Sequence, residues 1–241
     1  MSDASVLVKQ LEAMRDNTQR LSKMAASGSI SYAEAGKRVS QYGQSAGRTI
    51  LSFLKENFPD GIAEDDALEL IPPALRVNYK YAVNLATSAQ EQVNKKARIK
   101  LKALSPDFNE EKAVNMAKHI ADTGITDDVV KLVQSNARSV VDSTIAVNAN
   151  AHENAGLSVR VIRKYDGVGV HYGRDACEWC LERQGEWEHV ADAQADGAFE
   201  RHPGCGCEII YQTTRLQWQS QSRGSNWTNI SIEEARQRRR S

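Results

Sequence analysis

The pattern of hydrophobic and polar residues divides the chain into a long helical part and a shorter part of mixed structure. Hydrophobic positions that recur at three- and four-residue spacings predict five amphipathic helices. Their expected ranges are 2–26, 31–58, 74–104, 110–122 and 129–153. After Gly156, residues 157–165 and 207–213 are rich in β-branched side chains and partly alternate, as strands do. The expected fold is mainly α with a small C-terminal α+β module.

Local signals give the expected boundaries of these elements. Ser31 followed by Glu34 is a capping box, and Gly124 ends the fourth helix. A turn at Asp60-Gly61, an acidic stretch and the pair Pro72-Pro73 predict a joint near 58–73. Three regions follow: a helical region (1–156), the α+β module (157–215), and a polar tail with a short basic C-terminal helix (216–241).

Composition and charge exclude several classes of protein. A chain with 41% hydrophobic and 26% charged residues is neither collagen-like nor wholly disordered. Lys and Arg total 31, as do Asp and Glu, so no overall charge attracts nucleic acid or an anionic membrane. No apolar run is long enough to cross a membrane, and no secretory leader is evident, so we expect synthesis and retention in the cytosol.

Two local basic runs are the exceptions to this neutrality. The first lies at the end of the third predicted helix, and the second lies in the tail. Their residues are Lys95, Lys96, Arg98, Lys100 and Lys102, then Arg236, Arg238, Arg239 and Arg240. Either run is a solvated helix end or tail, or a surface that contacts phosphates.

All four cysteines lie in one stretch and predict a metal site. Cys177 and Cys180 form a C-x-x-C pair, and the sequence H-P-x-C-x-C adds His202, Cys205 and Cys207. Thiolate and imidazole ligands at such spacings are typical of tetrahedral zinc. Five candidates compete for four positions, and the sequence does not choose among them. The module is therefore expected to be zinc-knuckle-like, with the metal strengthening a small core.

Other roles for the cysteines fit less well. Two disulfides are arithmetically possible, but a cytosolic compartment is reducing. A redox pair would open a helix in a βαβ unit, whereas this pair lies in a predicted hairpin. Zinc deaminases carry H-x-E followed by P-C-x-x-C, and neither occurs here. With enough ligands to close the site, and with no phosphate loop, nucleophile elbow or H-E-x-x-H, we expect a structural metal, no enzyme and no small-molecule substrate.

Several neighbouring residues have weaker predicted roles. His171 is either a loop residue or a group that orients a metal ligand. Trp179 and Trp187 are expected to cover the cluster. His152, near the end of the fifth helix, suits the helix dipole as a cation.

The arrangement resembles the C-terminal domain of the Mu F-like minor head proteins of tailed bacteriophages. The resemblance covers about residues 157–213. It rests on a strand of the V-R-V-I-R type, D-x-C-x-x-C, a hairpin, and H-P-x-C-x-C leading into a final strand. The residues that carry it are 159–163, Asp175, Cys177, Cys180, Gly185, His202, Pro203, Cys205 and Cys207.

The resemblance implies a virion component located inside the head near the portal and made in the host cytoplasm. It implies a minor structural protein that acts in head morphogenesis and in DNA packaging or ejection. The implied partners are the portal protein, the major capsid protein and packaged DNA. The alternative is a cytosolic zinc-module nucleic-acid-binding protein, which the two basic runs favour.

Overall fold

Five long helices precede a small antiparallel sheet in the computed structural model, which describes residues 3–25, 30–165, 177–213 and 219–220. The helices are α1 (Asp3–Ala25), α2 (Tyr32–Asn57), α3 (Glu64–Ala97), α4 (Glu110–Thr123) and α5 (Asp128–Asn154). The C-terminal elements are β1 (Val159–Lys164), α6 (Glu178–Glu182), β2 (Gly185–Trp187), α7 (Val190–Ala195), β3 (Glu208–Thr213) and β4 (Gln219–Ser220). This confirms the prediction of a mainly helical protein with a small C-terminal sheet. Among the helices described, none combines the length and apolarity that a membrane span requires.

Two predicted helix starts have the expected caps. The Ser31 hydroxyl accepts the backbone N–H of Glu34 at 3.2 Å, which confirms the capping box of α2. The Asn109 side chain accepts the backbone N–H of Lys112 at 2.8 Å and starts α4. Side-chain oxygens thus satisfy backbone donors that the first helical turn leaves free.

The predicted joint near 58–73 is wrong over its second half. Only residues 58–63 connect α2 to α3, and α3 then continues through Pro72 and Pro73. Proline inside a helix costs about 3 kcal/mol through a lost hydrogen bond and a clash. The two rings lie on the more exposed side, while the opposite side buries hydrophobic residues that offset this cost. Those residues are Ala67, Leu70, Ile71, Ala74 and Leu75.

The third helix also ends earlier than the predicted Leu104. It stops at Ala97, and Arg98 adopts a left-handed conformation with φ of 55°. Residues beyond it form neither helix nor strand, because tertiary hydrogen bonds replace helical ones. The Asn94 amide donates to the Leu101 carbonyl at 2.9 Å, and the Asn148 side chain bonds both the N–H and the carbonyl of Leu104 at 2.8 Å.

Helices α2 and α5 approach closely at two glycines of α2. A Cβ added at Gly47 would lie 2.8 Å from Cα of Val130, and one at Gly43 would lie 2.9 Å from Cβ of Ala137. Both distances are shorter than packed side chains allow, so glycine is required for this approach. The glycines that weaken the helix pattern in the sequence therefore serve the packing of the helices.

The sheet has the order β2-β1-β3-β4, with every neighbouring pair antiparallel. Its inner face joins the core of the helices, where Val161 lies opposite Tyr211. The hydroxyls of Tyr211 and Tyr32 both donate to Oε1 of Gln90, at 2.9 Å and 2.5 Å. The sheet and the helices therefore share one core. Most of the predicted tail, including its basic helix, lies outside the described residues.

Candidate metal centre

The two halves of the cysteine motif occupy different elements. Cys177 caps α6, where its sulfur accepts the backbone N–H of Cys180 at 3.4 Å. His202, Cys205 and Cys207 lie in the loop that leads into β3. Because β3 pairs with β1, this loop returns beside α6. The pairing of β3 with β1 thus brings both halves of the cysteine motif together beside α6.

All five predicted ligands come together. Nε2 of His202 lies 3.1 Å from Sγ of Cys177 and 2.9 Å from Sγ of Cys180. Sγ of Cys180 lies 3.8 Å from Sγ of Cys205, close to the separation of about 3.8 Å that Zn–S bonds of about 2.3 Å give in a tetrahedron. The cluster is compatible with a bound metal ion.

The ligand atoms form two overlapping groups. Cys177, Cys180 and His202 make one group, and Cys180, Cys205 and Cys207 make the other. Within each group all ligand atoms lie within 4.8 Å of one another. Cys180 belongs to both groups, so it is the ligand that any four-ligand site here would share.

The His202 ring is oriented for coordination. Its Nδ1 lies 2.8 Å from the Pro203 carbonyl, which can only accept a hydrogen bond. Nδ1 therefore carries the proton in a neutral ring, and Nε2 presents its lone pair to the sulfurs of Cys177 and Cys180. The Trp179 ring packs edge-on against His202 with centroids 5.0 Å apart.

Of the two tryptophans predicted to cover the cluster, Trp179 does so and Trp187 does not. Trp187 packs against the main core, and its indole N–H donates to the Asp196 carboxylate at 2.7 Å. It occupies β2, whose pairing with β1 places it away from the cysteines.

Neighbouring sulfurs and positive charges favour thiolate at Cys205, and they outweigh the opposing effect of burial. Cys180, Cys205 and Cys207 are buried, and Cys177 is half-buried. Contacts with the sulfurs of Cys180 and Cys207, and the charges of two nearby arginines, hold the pKa of Cys205 well below its usual value. The contact with Cys205 raises the pKa of Cys180 in turn. A buried thiolate is the form that binds a metal.

The first of these arginines, Arg163 of β1, was not predicted as a site residue. It is 1% exposed, and its Nη1 donates to the carbonyls of Gly197, Ala198 and Glu200 at 3.2, 2.9 and 2.6 Å. Its Nη2 lies 3.7 Å from Sγ of Cys205. The alternation of the strand places Arg163 on the same face as Val161, which is the signal that could have identified it.

The second arginine beside Cys205, Arg201, was also not predicted as a site residue. It pairs with Asp142 of α5 through two hydrogen bonds, and both side chains are nearly inaccessible, at 1% and 0% exposed. Nη1 of Arg201 donates to the Cys207 carbonyl at 2.9 Å and lies 3.8 Å from Sγ of Cys205. A buried ion pair is tolerated where each partner is charged and hydrogen-bonded, as here. Local sequence carries no signal that joins residues so far apart.

Helix α5 holds the cysteine loop by further hydrogen bonds. Arg138 donates to the carbonyls of Cys205 and Cys207 at 2.6 and 3.3 Å, and Ser135 accepts the backbone N–H of Gly204 at 3.1 Å. These bonds fix the backbone on either side of the sulfurs. The cysteine loop therefore connects the sheet module to α5.

Two other predicted roles have different outcomes. His171 and Asp175 lie outside the described residues. The prediction of a cationic His152 is wrong, because this residue is 1% exposed and burial lowers its pKa. Within the described part of the chain neither ring nitrogen has a hydrogen-bond partner, so the neutral ring is favoured.

Comparison of this chain with protein-family models, with curated proteins and with solved structures finds no match.

Proposed function

We propose that this chain is a minor structural protein of a tailed-phage head, and that its Cys/His cluster holds a structural zinc ion. The proposed role is non-enzymatic: the protein associates with the portal and the major capsid protein during head morphogenesis and DNA packaging or ejection. The proposed location is the head interior, after synthesis in the host cytoplasm.

The observation that carries the proposal is the convergence of the two motif halves. The D-x-C-x-x-C and H-P-x-C-x-C segments define the resemblance to Mu F-like minor head proteins, and Cys180 meets His202 at 2.9 Å. The strand that precedes the first segment and the strand that follows the second pair with each other as β1 and β3. This arrangement supports a motif that folds as a unit rather than a chance spacing.

The donor set supports zinc in a structural role. Soft thiolates and an imidazole suit zinc, and four ligands that include Cys180 would close a tetrahedron and leave no position for a substrate. Arg163 and Arg201 supply positive charge beside the sulfur of Cys205, whose pKa is lowered. Hydrogen bonds from α5 to the cysteine loop support a metal that fixes the sheet module on the helices.

The direct test is quantitative mass spectrometry of purified particles and procapsids, with this protein scaled against portal and major capsid protein. The proposal expects a few copies per portal ring. Absence from both particles, together with abundance in infected or lysogenic cells, would contradict it. Elemental analysis of the purified protein tests the metal separately, with about one zinc per chain expected.

The exposure of one basic run favours a second candidate function, nucleic-acid binding. Lys95, Lys96, Arg98, Lys100 and Lys102 are all exposed at the end of α3 and just beyond it. If the chain binds nucleic acid through this run, its affinity for DNA should fall steeply as the salt concentration rises, because phosphate contacts release counterions. Binding that is absent or insensitive to salt would remove it. The arginines of the tail lie outside the described residues.

A further inference from the structure

Exposed charges of opposite sign cluster at the two ends of α3. At its start are six acidic side chains, the acidic pole, and at its end are five basic ones, the basic pole. The acidic pole comprises Glu56, Asp60, Asp65, Asp66, Glu69 and Asp122, and the basic pole comprises Lys95, Lys96, Arg98, Lys100 and Lys102. All are exposed, and none forms an ion pair within the part of the chain that the structure describes.

Ion pairs between helices show that the acidic pole is one surface. Lys118 of α4 lies 3.3 Å from Glu64 of α3, and Lys55 of α2 lies 3.2 Å from Asp127 beside α5. The ends of four helices therefore meet here. Lys118 and Lys55 are already engaged in these ion pairs. The negative charges of the six acidic side chains are therefore not neutralised by these lysines.

Helix dipoles do not account for this distribution. Acidic residues in a first turn and basic residues in a last turn stabilise a helix, which explains Asp65, Asp66 and Lys95. Glu56 and Asp122, however, occupy the last turns of α2 and α4, where a negative charge is unfavourable. Helix stability therefore gives no reason for the acidic side chains at these two positions.

The basic pole also exposes leucines, on a segment that side-chain hydrogen bonds hold in place. Three of its cations lie in the segment 98–104, which is held by the side chains of Asn94 and Asn148. Leu101 and Leu104, in the same segment, are 40% and 45% exposed. Large hydrophobic side chains displayed by a pinned backbone among cations are typical of a protein contact.

The acidic pole exposes less apolar surface than the basic pole. Pro73, beside Glu69 on α3, is exposed, whereas Leu68 packs partly against the core. The two poles are thus complementary in charge. They are separated by a helix of 34 residues, or about 50 Å at about 1.5 Å per residue. One molecule cannot bring its own poles together.

We propose that the basic pole binds the acidic pole of a second copy of this chain, so that copies associate head to tail. The chain has no net charge, so this segregation favours attraction between opposite poles over repulsion between whole molecules. The interface is heterologous, so each added copy leaves a free pole at both ends, and the assembly grows unless it closes into a ring. Nucleic acid would use the basic pole but would give no role to the acidic pole or to the leucines.

The first test is the mass of the full chain in solution, by sedimentation velocity or light scattering, against protein concentration and salt. At about 50 mM NaCl we expect the mean mass to rise beyond that of a dimer, and at about 500 mM we expect the monomer, because exposed charges are screened. A monomer at every concentration and salt would overturn the proposal. A dimer that never grows would overturn the head-to-tail arrangement.

Charge reversal tests the pairing of the poles. One variant carries K96E, K100E and K102E, and the other carries D60K, D66K and E69K. The first variant has a basic pole with two positive and three negative side chains, and the second has an acidic pole with three of each. Each variant alone lacks two poles of opposite net charge and is expected to be monomeric. An equimolar mixture is expected to associate again, because the unchanged acidic pole of the first meets the unchanged basic pole of the second.

A matched control reverses three exposed cations outside the basic pole, with K37E, R48E and K80E, and is expected to associate as the native chain does. Circular dichroism and melting confirm that each variant is folded. Failure of the mixture to associate while both variants are folded would overturn the proposal. Loss of DNA binding with unchanged self-association in the first variant would assign the basic pole to nucleic acid instead.

Discussion

Replacing Asp142 by asparagine is expected to destabilise the protein strongly, because it removes the carboxylate that forms an ion pair with Arg201. Asparagine has nearly the same volume, so the packing is kept. The guanidinium of Arg201 stays buried, and it keeps the hydrogen bond to the Cys207 carbonyl and the more distant sulfur of Cys205. A buried charge that loses its main counter-ion is costly in a low-dielectric interior.

The structure gives the size of this effect. Both partners are almost completely inaccessible, at 1% and 0% exposed, which places the pair among the buried ones. Breaking such a pair from one side costs about 3–5 kcal/mol. At about 2–4 °C per kcal/mol for a chain of this size, the melting temperature should fall by roughly 6–20 °C.

The assay is urea unfolding at neutral pH, followed by circular dichroism, with thermal melting as a second measurement. Asp128→Asn is the matched control, because it breaks an ion pair on the same helix that is exposed, between Asp128 and Lys131. Surface pairs contribute about 0–1 kcal/mol, so the control should behave almost as the native chain does.

A double variant separates the lost charge from a general disturbance. Asp142→Leu with Arg201→Met removes both charges, so it should be less destabilised than Asp142→Asn alone. The reasoning is refuted if Asp142→Asn lies within about 1 kcal/mol of the native chain, which is the range of an exposed pair. It is also refuted if the double variant is the less stable of the two.

Three further predictions concern other parts of the molecule. Cys180→Ser should abolish zinc binding, measured as zinc per chain, because both ligand groups contain this residue; full retention would contradict the shared position. Burial lowers the pKa of His152 below its ordinary value of 6.5, so stability that is full above about pH 6.5 should fall as the pH drops below it. His152→Leu should reduce that dependence in urea unfolding from pH 7 to about pH 5, and an unchanged slope would assign it to other groups. In Gly47→Ala the added Cβ would lie 2.8 Å from the Val130 backbone, and this overpacking should lower the free energy of unfolding by about 1–3 kcal/mol. The higher helix propensity of alanine offsets roughly 1 kcal/mol of that loss. A variant more stable than the native chain would show that α2 and α5 can separate.

Local signals predicted most element types and several boundaries. The helix predicted over 2–26 is α1 over Asp3–Ala25, the capping box at Ser31 starts α2, and the strand predicted over 157–165 contains β1. These features depend on contacts between residues within a few positions of each other. Hydrophobic period and capping chemistry describe such contacts fully.

Predictions failed where distant residues outweigh local preference. Pro72 and Pro73 normally end a helix, but the core that α3 buries on its opposite side keeps it continuous. Helical periodicity extends to Leu104, but hydrogen bonds from Asn94 and Asn148 hold residues 101–104 outside the helix. His152 suits a helix end as a cation, but burial by the sheet and the helices makes the neutral ring favourable.

The candidate site divides in the same way. The sequence alone determined that Cys177, Cys180, His202, Cys205 and Cys207 form one cluster, because thiol and imidazole chemistry at these spacings has few other uses. The tertiary structure decided what surrounds them: Arg163 under the sulfurs, the Arg201–Asp142 pair and the bonds from α5. The residues of a metal-ligand motif are close in sequence, so the motif can be recognised there. The charges around it come from side chains that are distant in sequence and meet only in the folded chain.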